Sequence, residues 1–167
     1  MINFWVMTDF HFGHKAMIEL CGRPINFEDR ILKGLKIIKD EDILIFLGDI
    51  CIGKDEYWHK QLSEFNFRKI LIRGNHDSKS IIWYLEHGWA FVCDSFSLEY
   101  YGKNIVFSHV PAIDSGYDVN IHGHSHNSNH HEKEEEIVKN KNSKQYLIMI
   151  EHNYRPIKLK HIIQGVI

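Results

Sequence analysis

Lys69-Ile70-Leu71-Ile72-Arg73-Gly74-Asn75-His76-Asp77 is the stretch that decides how this chain is read. Its first half is an apolar run that reads as a buried strand. Its second half is a glycine, an amide, an imidazole and a carboxylate, a set with no use in a packed core. Polar groups at the carboxyl end of a strand face the crevice in which open α/β sheets bind ligands. Working outward, the arrangement recurs. Phe4 to Thr8 runs into Asp9 and His11, and Ile43 to Leu47 runs into Gly48 and Asp49. Asn104 to Phe107 runs into Ser108 and His109, and Val119 to Ile121 runs into Gly123, His124 and His126. Five apolar segments each deliver metal-type side chains at their C-terminal ends.

Helical patterns separate the first of these segments. Lys15 to Cys21 reads as a short helix closed by Arg23-Pro24. Asn26 to Lys39 is amphipathic, with Asn26 as N-cap and Ile31, Leu32, Leu35 and Ile38 at helical spacing. Asp55 to Phe65 places Tyr57, Trp58, Leu62 and Phe65 on one side, and Ser78 caps a helix running to Glu86. This alternation predicts βαβ units and a parallel sheet. From Ala90 onward the chain reads as short strands: Ala90 to Cys93, Ser97 to Tyr101, Asn104 to Phe107, Val119 to His122 and Gln145 to Ile150. Tyr101-Gly102-Lys103-Asn104 is a tight hairpin turn. The expectation is an α/β fold in which a second, mostly antiparallel sheet packs face to face on the first, with helices outside. The polar segment His130 to Lys144 reads as a solvated hairpin tip or loop.

A length of 167 residues fits one domain over 1–167. Apolar residues make up 44% and charged residues 25%, ordinary values for a soluble globular protein. The net charge of −2 indicates no general affinity for nucleic-acid backbones or anionic membranes, although a local basic patch can hide in such an average. No apolar run approaches the ~18 residues of a spanning helix. The opening Met1-Ile2-Asn3-Phe4 has no secretory pattern, so a cytoplasmic location is expected. Cys21, Cys51 and Cys93 are odd in number and far apart, which argues against a disulfide framework or a cysteine zinc site.

The candidate ligands are Asp9, His11, Asp49, Asn75, His109, His124 and His126. Carboxylate and amide oxygens mixed with imidazole nitrogens suit Mn, Fe, Zn, Co or Ni and disfavour Ca and Mg. Seven ligands exceed the needs of one tetrahedral ion. They suit two divalent ions sharing a bridging carboxylate. Such a pair clamps a phosphoryl group and activates a bridging water as hydroxide for in-line attack. Taken alone, an Asp-x-His pair is more often a cap, and Gly-Asp after a strand is more often a turn. Their conjunction at five strand ends carries the reading.

In order, Asp9-Phe10-His11, Gly48-Asp49, Gly74-Asn75-His76-Asp77, Ser108-His109 and Gly123-His124-Ser125-His126 resemble the signature of the calcineurin-like metallophosphoesterase superfamily. Thr8 to His14 and Glu151 to Ile157 further resemble a small bacterial and phage branch of it. The resemblance implies a four-layer αββα sandwich of two mixed sheets flanked by helices, with a dinuclear metal site at the strand ends. It implies that Asp9, His11 and His126 hold one ion and that Asn75, His109 and His124 hold the other. Asp49 would bridge them, with Mn the first expectation for the metal. His76 would be the catalytic residue facing the phosphate, as a proton donor or a phosphate ligand. His14, in the same loop as Asp9 and His11, is a candidate substrate contact.

The protein-phosphatase branch reads G-D-x-x-D-R-G at the second motif, and this chain has Ile52 and Gly53 where that branch has its aspartate and arginine. A small phosphoester or nucleotide substrate is therefore expected, with phosphodiesters at least as good as monoesters. A metal-dependent nuclease and a binding module without chemistry are the alternative readings on the same fold. Eight histidines, 14, 59, 87, 122, 130, 131, 152 and 161, lie outside the candidate ligand set and His76.

Overall fold

The computed structural model describes residues 2–113, 116–126 and 144–165. In chain order its first half comprises β1 (Phe4–Met7), α1 (Met17–Leu20), α2 (Phe27–Leu35), β2 (Ile43–Phe46), α3 (Asp55–Ser63), β3 (Arg68–Ile72) and α4 (Ile81–Glu86). There follow β4 (Phe91–Cys93), β5 (Ser95–Tyr100), β6 (Lys103–Ser108), β7 (Val119–His122) and β8 (Lys144–Leu147). A 3-10 turn at Ile150–His152, β9 (Ile157–Lys158) and α5 (Leu159–Gln164) complete the described chain. The strands form two mixed sheets with flanking helices. The five-stranded sheet has the order β4-β3-β2-β1-β9, and the four-stranded sheet the order β5-β6-β7-β8.

The strand sequences explain the layers. Both faces of β1, β2 and β3 are apolar, and successive side chains point to opposite faces. Trp5, Met7, Leu44, Phe46 and Leu71 meet the helices through Phe27, Ile31, Leu35, Trp58, Leu62 and Tyr84. Val6, Ile45, Leu47 and Ile72 meet Ile105, Phe107, Val119 and Ile121 of the second sheet, joined by Leu159 and Ile162 of α5. Each fully buried side chain of this size contributes roughly 1.5–3 kcal/mol.

Two expectations of topology are corrected. Phe91–Cys93 belongs to the first sheet, parallel to β3. The second sheet is not mostly antiparallel: only β5–β6 is, through a hairpin whose Tyr101 and Gly102 have φ of 52° and 66°, as a type I′ turn requires. The pairs β6–β7 and β7–β8 are parallel. Most of the polar segment of residues 130–144 lies outside the described residues, but the parallel pairing shows that β7 and β8 are not arms of one hairpin.

Helix ends also differ. The α2 helix stops at Leu35, and Asn26 at its start makes no capping bond; its Oδ1 accepts from Arg30 Nε instead. On α3, Trp58 and Leu62 are buried but Tyr57 is exposed. Ser80, not Ser78, caps α4, accepting from Trp83 N. No described helix is long and apolar enough to cross a membrane.

Gly34 sets how closely the 150–155 segment crosses α2. A Cβ there would run into the carbonyl oxygen of Tyr154. Gly34→Ala gains about 1 kcal/mol of helix propensity. The obstacle is backbone, and overpacking costs about 1–3 kcal/mol. We expect a net loss of stability, read as a lower urea midpoint.

Candidate metal centre

Because β1, β2 and β3 are parallel, their carboxyl ends leave the sheet on one edge. The loops that follow stay zipped together. Asp9 N donates to Gly48 O, His11 N to Asp49 O and Phe12 N to Ile50 O, all at 2.9–3.0 Å. The second sheet reaches the same edge through His109, whose Nδ1 donates to Leu47 O at 2.7 Å, and Gly123, whose N donates to His109 O at 3.0 Å.

The structure gathers all seven candidate ligands there, in two groups. In the first, His11 Nε2 and His126 Nε2 lie 3.1 Å apart, each 3.7 Å from Asp9 Oδ1. In the second, His109 Nε2 lies 3.0 Å from both Asn75 Oδ1 and His124 Nδ1. Asp49 Oδ2 stands between them, 3.5 Å from His11 Nε2 and 3.4 Å from His109 Nε2. The other Asp49 oxygen accepts from His76 N at 2.9 Å. A Cβ at Gly74 would collide with the Asp49 side chain, so this residue must be glycine for the two loops to approach.

The electrostatics of this cluster are those of a cation site. His109 and His126 donate from Nδ1, to Leu47 O and Glu151 Oε1 respectively, which aims each Nε2 inward. Asp9 Oδ1 is buried with no hydrogen-bond partner. Burial raises the Asp9 carboxyl above its usual range and pushes His11 down to about 3. Burial would also raise Asp49, but the hydrogen bond and charge of His109, then His11, hold it at about 2. Burial opposes charge on His109, yet Asp49 and Asp9 lift it to about 9. Imidazole nitrogens converging beside a partnerless carboxylate oxygen fit the nitrogen- and oxygen-binding transition metals.

Five of the candidate ligands sit on left-handed backbone: Asp9 (φ 52°), His11 (48°), Asp49 (61°), His124 (70°) and His126 (46°). Each such non-glycine residue costs roughly 1–2 kcal/mol, so surrounding bonds must hold it. Sequence reasoning missed these supports. Asp77, at the end of Gly74-Asn75-His76-Asp77, is the first of them. It is buried: its Oδ2 accepts from Asp49 N and Gly74 N, both at 2.8 Å, and its Oδ1 from Ile50 N at 3.0 Å. Burial pushes its carboxyl up to about 6 against the pull of these N–H groups.

Arg23, fully buried, donates to Phe10 O at 2.7 Å and Asp9 O at 2.8 Å, and to Glu151 Oε1 at 2.6 and 3.0 Å. Glu151 Oε1 also accepts from His126 Nδ1 at 3.0 Å. A signal for Glu151 existed, because it ends the apolar run Ile148-Met149-Ile150 as the ligands end theirs. Arg23 carried none.

His76 is exposed, with Nε2 4.0 Å from Asp49 Oδ2 and its ring 5.3 Å from that of His11. The His14 ring is 5.8 Å from that of His11, and its Nδ1 is buried without a partner. Burial and then His76 lower the His14 pKa. Both histidines line a cleft of about 220 Å³ that also exposes His11, Asp49, Asn75 and His124. No described lysine or arginine lines it. Lys54 is exposed in the left-handed start of α3, and Arg73 is paired with Asp94 at 2.6 Å. Ile52 and Gly53 bring no charge.

The other histidines serve elsewhere. His59 accepts from Trp89 Nε1 in the core, His87 stacks on Trp83, and His122 is buried in β7. His152 and His161 are exposed, and His130 and His131 lie outside the described residues. The three cysteines are free, with Cys21 and Cys51 buried.

Two mixed sheets with flanking helices thus bring imidazoles and carboxylates together at their strand ends. The chain belongs to the calcineurin-like phosphoesterase family, whose model matches residues 2–163. It is 30% identical to an uncharacterised protein of Methanocaldococcus jannaschii over 98% of this chain and 91% of that one. A protein of unknown function from Aquifex aeolicus has a similar structure, with a TM-score of 0.78 and 27% identity over 99% of this chain and all of that one. An archaeal phosphodiesterase is more distant, at a TM-score of 0.48 and 20% identity over 75% of each chain.

Asp77 gives a direct test of how the Asp49 loop is held. Asp77→Asn keeps the shape but turns an amide NH₂ toward one backbone N–H. A lost bond and an unsatisfied buried donor cost about 1–3 kcal/mol. Urea unfolding in EDTA, where bound metal adds nothing, should show the lower midpoint.

Proposed function

We propose that this protein is a metal-dependent hydrolase of small phosphoesters, with phosphodiesters at least as good as monoesters. The observation that carries the reading is the pair of inward-facing ligand groups sharing Asp49 Oδ2 in a cleft without a described lysine or arginine. Asp9, His11 and His126 would hold one divalent transition-metal ion, Mn first among them, and Asn75, His109 and His124 a second, with Asp49 common to both. Bound there, such ions supply Lewis acidity toward a phosphoryl oxygen and a nucleophile from water at neutral pH.

The chain's own residues do the rest. The Asp49 loop, pinned by Asp77, fixes the separation of the two groups. Glu151 fixes the tautomer of His126, and the Leu47 carbonyl fixes that of His109. His76 stands at the mouth of the cleft, where a proton held at Nε2 can pass to a leaving oxygen. His14 offers its unpartnered Nδ1 to a phosphate oxygen. A cytoplasmic location is part of the same proposal.

A cleft lined by no described lysine or arginine shapes the expected substrate preference. A phosphomonoester carries about two negative charges near neutral pH, and bidentate arginine is the group best suited to them. A diester carries one and asks less of the pocket. We expect kcat/KM for bis-nitrophenyl phosphate to equal or exceed that for nitrophenyl phosphate on one metal-loaded sample. A hundredfold preference for the monoester would overturn the argument.

Metal content tests the ligand assignment separately. Elemental analysis should find two ions per chain in the wild type. Asp49→Ala should lower the occupancy of both, because each group loses its shared charged ligand. Asn75→Ala should lose mainly one.

A further inference from the structure

A second cavity, of about 590 Å³, lies between α2 and the 151–155 segment. Arg30, Lys33 and Lys36 line one wall, and His152, Asn153 and Arg155 line the other. Arg30 and Lys33 on α2 and Lys36 at its C-cap are spaced i, i+3 and i+6, which at 1.5 Å per residue covers about 9 Å along the helix axis. All four Arg and Lys side chains are exposed, and none makes an ion pair with a described residue. Arg30 only bonds Asn26 and lies 5.9 Å from the buried Tyr154 ring. Among the described residues the one carboxylate in the lining, Glu151, is engaged through Oε1 by the buried Arg23; its Oε2 is buried without a partner. In a chain of net charge −2, this is a strongly positive groove.

The groove abuts the metal centre. Glu151 lines it and, on its other side, accepts the His126 Nδ1 hydrogen bond at 3.0 Å. We propose that this groove holds successive phosphates of a single-stranded nucleic acid. This binding does not rest on the hydrolytic reading above.

Cations on two facing walls admit one strand between them, while a duplex or a flat membrane would meet only the rims. A row about 9 Å long is too extended for a lone phosphate and matches two or three consecutive ones. The aromatic ring in the groove wall, Tyr154, is buried, so the groove offers no stacking surface for bases. Recognition is then of the backbone, without sequence preference.

The test is fluorescence anisotropy of a labelled, mixed-sequence 12-mer with phosphorothioate linkages to slow cleavage, bound to the metal-loaded full chain across a salt series. With two to three phosphates neutralised, log K against log salt should fall with a slope of about −1.5 to −2. Lys33→Glu/Lys36→Glu should weaken binding at low salt about tenfold or more and reduce the slope by about one to two. Lys60→Glu/Lys103→Glu makes the same change in net charge away from the groove and should shift affinity far less. No binding by the wild type, equal weakening by both double variants, or binding to phosphatidylserine vesicles in place of the strand would overturn the proposal. Hydrolysis of bis-nitrophenyl phosphate by the same wild-type sample is scored separately, so failure of the groove and failure of the hydrolytic reading are told apart.

Discussion

The site depends on backbone held where side chains resist being held. Asp9, His11, Asp49, His124 and His126 occupy left-handed conformations at the ends of three strands, and together they cost several kcal/mol. That conformation turns consecutive polar side chains off the strand direction and back over the sheet edge, where they converge. It survives because neighbouring loops over-determine it. The loops after β1 and β2 pair with each other, Asp77 collects three N–H groups around the Asp49 turn, and Arg23 collects the carbonyls of Asp9 and Phe10. Strain concentrated at ligand positions, with stiff supports around it, is how a fold presets a geometry before its ligand arrives.

Charge is distributed with the same economy. The cleft collects imidazole and carboxylate. The buried guanidinium beside it is turned away from the cleft, toward backbone carbonyls and Glu151, so it steadies the first loop and compensates a buried acid without facing solvent. The exposed cations lie beyond Glu151, on α2 and the 151–155 segment. Glu151 is thus the boundary between a region that attracts cations and one that attracts anions, and its carboxylate, drawn to about 2 by His126 and Arg23 despite burial, stays ionised in both roles.

The candidate site is legible in the sequence because the same kinds of side chain recur at five strand ends, although each motif alone is more often a cap or a turn. The packing of the first sheet was legible for a related reason: alternation within Ile43–Phe46 or Phe4–Met7 has apolar side chains in both phases. Pairing direction was not. Parallel and antiparallel neighbours bury similar side chains, and nothing in Val119–His122 states which way its partner runs. The supports were hidden too. Arg23 beside Pro24 looks like the end of a helix, and only the folded chain shows its guanidinium held between the carbonyls of Asp9 and Phe10 and the distant carboxylate of Glu151. Ser78 and Ser80 are equally good caps by composition; Trp83 N reaches the second.

The antiparallel edge strand β9 and the Glu151 carboxylate have a consequence for synthesis on the ribosome. Strand β1 emerges before every other described strand, yet its outer edge is covered only when Ile157–Lys158 arrives, and Arg23 meets its carboxylate only at residue 151. Domains are made at about 5–20 residues per second, N-terminus first. For most of that interval the nascent chain presents an apolar strand with unpaired N–H and C=O groups, the template on which chains join edge to edge. Residues 151–158 therefore act as a clasp. They pair the buried Arg23, support His126 and cover the free edge of β1, so a chain interrupted before residue 151 carries the candidate ligands without these supports and exposes an adhesive border.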